Sequence, residues 1–183
     1  MVPSRTRLSA VGRYLVVLAM GNLAWEFAQM PLYTLWGTGS AREIVFAAVH
    51  CTGGDVLIGG AALFGALLLF GTTAWPNSRF TVVAIAAVAA GLGYTVYSEH
   101  LNTARNAWSY SAFMPVLPGL GTGLAPLAQW LVVPLLAFAA SRLPSATQNR
   151  AIERANGPDL PIMGITTSRS TPANLARGNR RAS

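Results

Sequence analysis

Apolar residues in this chain fall into four long blocks, roughly 14–36, 44–71, 80–98 and 124–141, separated by stretches rich in Gly, Pro and polar side chains. A helix needs about 17–25 predominantly apolar residues to cross the hydrocarbon core of a bilayer. Each block meets that length, whereas the core helices of a soluble domain have no need of such runs. The pattern therefore predicts an all-α membrane protein, a bundle of four transmembrane helices. The second block is long enough to tilt or to project beyond the bilayer. Gly53, Gly54, Gly59 and Gly60 within it are expected to let other helices approach closely.

Three regions follow: an N-terminal flank over 1–13, a transmembrane domain over 14–141 and a tail over 142–183. The tail is built from Ser, Thr, Asn, Pro, Gly and Arg without apolar periodicity, which predicts disorder. Arg5, Arg7 and Arg13 ahead of an apolar run resemble the start of a secretory leader. The small residues of a cleavage site are missing from Gly21-Asn22-Leu23-Ala24-Trp25-Glu26, so the first block reads as an uncleaved anchor. No internal repeat is visible.

Composition reinforces the membrane reading, since only 10% of the residues are charged and 52% are hydrophobic. Soluble domains carry about 25% charged residues. The net charge is +7, all 13 basic residues are Arg, and most of the excess lies from Arg142 onward. In a membrane protein such Arg serves orientation, so no nucleic-acid partner is expected. Arg42 and Arg105 alone flank one face, and the remaining arginines flank the other. By the positive-inside rule both termini are expected in the cytoplasm, in a bacterial inner membrane. The lipid bilayer is the expected partner, with a homo-oligomer or a larger membrane complex as further candidates. The single Cys51 excludes an intramolecular disulfide.

Polar residues inside the blocks carry the candidate chemistry. Asn22, Glu26, Gln29 and Tyr33 are spaced to share one stripe of the first helix. The second block brings His50, Cys51 and Asp55, although His50 and Asp55 stand about 140° apart around a helix. Thr95, Glu99, Asn102 and Asn106 form a stripe if the third helix continues past its nominal end, and Gln129 opens the fourth. Between them, 99–123 is the one long external loop. With Trp108, Tyr110 and Phe113, it is expected to lie on the outer surface as a partial lid. The opposite halves of the later spans are nearly all apolar, which predicts a polar pocket opening outward and no continuous pathway. A mid-membrane acid is a functional candidate by default, so Glu26 and Asp55 lead the set. Glu26, His50, Asp55 and Glu99 are also the candidate ligands of a metal, because carboxylate with imidazole suits a hard or borderline ion. No CxxC, HExxH or nucleophile elbow is present, and no cofactor is indicated.

The runs from Asn22 to Tyr33 and from His50 to Ile58 resemble those of a family of small bacterial four-helix inner-membrane proteins. Ser98-Glu99-His100-Leu101-Asn102, Trp108-Ser109-Tyr110-Ser111, Met114-Pro115 and Gln129-Trp130 extend the resemblance over about 15–140. The family is described only as hypothetical proteins, so the resemblance implies a membrane fold and no reaction. The leading expectation is an outward-facing intramembrane polar site that binds a metal or small ligand. A non-catalytic accessory subunit of a larger complex is the alternative, and a small transporter acting as an oligomer is the third. Whether the site is catalytic stays open.

Overall fold

A computed structural model describes residues 5–144. The chain forms α1 (Arg5–Gln29), a 3-10 turn (Met30–Leu32), α2 (Leu35–Thr38), α3 (Ala41–Phe70), α4 (Phe80–Ala104) and α5 (Leu124–Ser141). All but α2 and the 3-10 turn are long and apolar enough to cross a membrane, and they make a four-helix membrane bundle. The predicted disorder of the tail concerns 145–183, which lie outside the described residues.

α5 has the predicted bounds, and the other three helices depart from theirs for local reasons. α1 begins earlier than predicted and stops at Gln29, because Pro31 has no N–H to continue the ladder and disfavours helix in the residue before it. Tyr33 is then extended, with φ −112° and ψ 150°, and so leaves the predicted helical stripe. α3 begins at Ala41, three residues before the predicted start, on a capping box. Ser40 N donates to Glu43 Oε2 at 2.7 Å, and Glu43 N donates to Ser40 Oγ at 3.4 Å. α4 runs on to Ala104, carrying Glu99 and Asn102 on the helix. Asn106 adopts a left-handed φ of 56° and turns the chain out of it.

α1 packs on α3 and α5, and α4 packs on the same two, so the helices form a ring with α1 diagonal to α4. Successive long helices are neighbours, an up-down-up-down order. One end of the ring is a close-packed apolar core of Tyr14, Leu18, Leu63, Val83, Val133 and Phe138. Trp75, from the α3–α4 connection, is buried in that core. The Tyr14 and Phe138 rings lie 4.8 Å apart, and Phe80 meets Phe138 edge-on at 5.8 Å. Arg13 spans to the end of α5, donating to Ala140 O at 3.1 Å and Ser141 O at 3.0 Å, carbonyls with no partner within their helix.

Three glycines set helix spacing, and a Cβ at Gly21 would stand 2.8 Å from a Val133 methyl. A Cβ at Gly59 would stand 2.6 Å from a Leu18 methyl, and one at Gly91 would collide with the Trp130 ring. Gly53 and Gly54, expected to serve the same purpose, have nothing within 4 Å of an added Cβ. Their face of α3 is not a helix contact.

At the other end the connection from α4 to α5 is stitched down by backbone. Thr34 N donates to Ser109 O at 3.0 Å and Ser111 N to Leu32 O at 2.9 Å, pairing Tyr33 with Tyr110. A second pairing, Val116 with Gly123, folds the rest into a tight hairpin, with Leu124 N donating to Pro115 O at 2.7 Å. Gly119 and Gly121 take positive φ at its turn.

Candidate functional site

Asn22, Glu26 and Gln29 do share one face of α1, and all three are buried. Their partners come from across the ring. Gln129 on α5 places its Nε2 3.0 Å from Asn22 Oδ1, 3.1 Å from Glu26 Oε1 and 2.9 Å from Asp55 Oδ2. Gln29 Nε2 lies 3.0 Å from Glu26 Oε1 and 3.2 Å from Gln129 Oε1. An amide nitrogen has two hydrogens, so the three oxygens around Gln129 compete for them. Gln29 Oε1, on a residue only 5% exposed, has no hydrogen-bond partner. Glu26 and Asp55 also hydrogen-bond each other, so the cluster is left short of donors around Gln129 and at Gln29 Oε1.

Glu99, buried on α4, forms a second polar group with the connection above it. The Tyr110 hydroxyl donates to Glu99 Oε2, and Trp108 Nε1 approaches the same oxygen at 3.4 Å. Gly123 N in turn donates to the Tyr110 hydroxyl at 3.0 Å. The Tyr33 ring packs on Tyr110 at 5.6 Å. Burial pushes the Tyr33 phenol well above its ordinary pKa, with the Glu99 carboxyl adding to the shift. The Tyr110 phenol rises by burial first and then by its bond to Glu99.

Both groups border one cavity of 540 Å³, lined by side chains of all four long helices and of the α4–α5 connection. Glu26, Asp55 and Glu99 lie on its wall with Gln29, Gln129 and Tyr33. Aromatic rings of Phe46, Tyr94, Trp108 and Trp130 supply much of the rest. Gly54 also borders it, which gives the open face of α3 a use that helix packing did not.

The predicted metal set does not assemble. Among the described residues no group of three or more His, Cys, Asp or Glu side chains is placed to hold an ion. His50 also borders the cavity, but it is exposed and stacks on Phe46, with ring centroids 5.6 Å apart and planes at 16°. Glu26 and Asp55 converge on Gln129, while Glu99 is held by Tyr110 and Trp108. His50 and Asp55, about 140° apart around α3, border the same cavity without converging on a common point. Asn102 also lines the cavity, but its amide folds back on its own helix, 2.8 Å from Ser98 O and 3.1 Å from Ser98 Oγ. Sequence reasoning missed the insertion of Trp130 against Gly91, whose only trace in the chain is a single glycine within an apolar helix.

Comparison with protein-family models, with curated proteins and with solved structures finds no match to this chain.

Proposed function

We propose that this chain is a multi-pass protein of a bacterial inner membrane, with both termini cytoplasmic, whose polar cavity opens outward and binds a small organic molecule. The observation that carries the reading is the convergence of Glu26, Asp55, Glu99 and Gln129, one from each long helix, on the wall of one cavity. Polar side chains that serve only to hold helices together need no space beside their bonds, and this cluster has both direct bonds and space. Here they surround 540 Å³, a volume within the usual range of small-molecule sites. Orientation rests on arginine: the cavity lies at the end of the bundle flanked by Arg42 and Arg105, the arginine-poor side.

Binding is favoured over a reaction. His50 and Cys51, the side chains suited to base or nucleophile work, are consecutive on α3 and diverge by about 100°. His50 is further occupied by Phe46.

Gly54→Phe tests the reading, because it fills the cavity from a position with free space around it. Small molecules extracted from the detergent-purified protein should include one compound at near-stoichiometric amount that the variant lacks. Identical extracts from two equally folded proteins would count against a binding site. A reporter fused after Ser141 should be active only in the cytoplasm; periplasmic activity would invert the orientation.

A further inference from the structure

Charge balance narrows what the cavity takes. Three carboxyls, Glu26, Asp55 and Glu99, line it. The chain contains no lysine, and among the described residues the arginines stand elsewhere: Arg5 and Arg7 at the start of α1, Arg13 on the α5 carbonyls, Arg142 over the Phe80 ring, Arg42, Arg79 and Arg105 at or beside helix ends. Among the described residues no ion pair to any of the three carboxyls is formed within the chain. An anionic ligand would meet three carboxyls on a wall that carries neither lysine nor arginine.

The hydrogen-bond inventory points the same way. Around Gln129 there are more acceptors than donor hydrogens, and Gln29 Oε1, on a side chain 5% exposed and on the cavity wall, has no donor at all. A neutral ligand with one hydroxyl satisfies one acceptor. A primary ammonium carries three N–H donors and no acceptor, and it matches a wall of carboxyls without lysine or arginine. A bare divalent ion fits less well, since no three ligating side chains are gathered for it. Beyond the acids the walls turn apolar and aromatic, with Phe46, Ile58, Tyr94 and Trp130. Such walls suit a hydrocarbon body, and ring faces attract a cation.

We propose that the occupant is an amphiphilic organic cation, a primary ammonium on an apolar or aromatic body, held by Glu26 and Asp55 with its remaining N–H toward Gln29. The proposal rests on the binding-site reading above. Glu99 closes the site from the side of the connection, through Tyr110 and Trp108.

The test uses the full chain in phosphatidylcholine nanodiscs and three probes of similar shape: 2-phenylethylammonium, 2-phenylethanol and phenylacetate. Calorimetry should show saturable binding of the ammonium, roughly tenfold or more tighter than the alcohol, as a charge-assisted bond implies. Phenylacetate should not bind. Asp55→Asn, isosteric and half-buried, should lower ammonium affinity by about tenfold on the same basis. Should that variant lose its cooperative melt, Glu26→Gln on α1 reads the same loss. Equal affinity for ammonium and alcohol, or preference for phenylacetate, overturns the cation inference while binding blocked by Gly54→Phe leaves the cavity reading intact. Absence of binding by all three probes, with wild type and Gly54→Phe alike, overturns both.

Discussion

The two ends of this bundle bury their side chains by different means. Around Tyr14, Phe80 and Phe138 the helices meet ring against ring, with Trp75 inserted from the connection and Arg13 closing the last turn of α5. Around Glu26 and Gln129 they stand off from a cavity, and contact passes through amides and carboxyls. Lipid offers no hydrophobic gain to helices that associate within it, so packing and a few polar bonds must hold the bundle. The contrast teaches that the packed end can carry most of the stability. The polar end is then free to keep space and unsatisfied acceptors that a ligand completes.

Substitutions at each end should behave accordingly. The largest loss is expected for Phe138→Ala, which removes ring contacts to both Tyr14 and Phe80. Unfolding in mixed detergent should show a loss of about 3–5 kcal/mol, the range for a large aromatic in a packed core. Ligand affinity in the protein that remains folded should be unchanged. Gly91→Ala sits at the border of the two regions, where its Cβ meets the Trp130 ring. Overpacking of this kind costs about 1–3 kcal/mol. Because Trp130 also lines the cavity, probe binding should weaken along with stability, a pairing that Phe138→Ala should not show.

Tyr110→Phe removes a bond to Glu99 and the acceptor of Gly123 N. A loss of about 1 kcal/mol is expected, together with faster proteolysis within 105–123; equal cleavage rates would show that the connection is held by its backbone pairing alone. The smallest effect is one of pH. Burial raises the Tyr33 and Tyr110 phenols above the ordinary value of about 10. Their contribution is fully present below that pH and is lost as pH rises through the elevated folded values. Tyrosinate absorbance should therefore develop late for these two residues, and cover and bundle should be unaffected near neutrality.

Much of the fold was legible because lipid imposes length and apolarity on any spanning helix. The bounds of α5 follow from hydropathy alone. The other bounds depend on hydrogen bonding that hydropathy does not register: Pro31 ending α1, Ser40 with Glu43 starting α3, and the polar turn at Glu99 and Asn102 that stays helical through Ala104. Within the candidate site, the spacing of Asn22, Glu26 and Gln29 announced a shared face, since helical periodicity is local. The partner of that face was not readable, because Gln129 lies 103 residues from Glu26 and only the order of helices in the ring brings them together. Tyr110 was readable as part of the lid, but its bond to Glu99 was not, for a related reason. It sits in a connection without periodicity, and its place over Glu99 comes from the pairing with Tyr33. His50 lies on the cavity wall as its outer-half position implied, but the turn of its ring onto Phe46 was not readable from spacing.

The closure of the ring by α1 against α5 also orders events during synthesis. The first helix to leave the ribosome carries Asn22, Glu26 and Gln29, and the amide that satisfies them arrives with the last. Gln29 and Gln129 are separated by 100 residues, which translation at about 5–20 residues per second covers in roughly 5–20 s. Through that interval the polar face of α1 lacks its permanent partner, and the insertion machinery is expected to shelter it. A nascent chain stalled before Leu124 should therefore remain crosslinkable from Glu26 to the insertase, and release should coincide with the entry of α5.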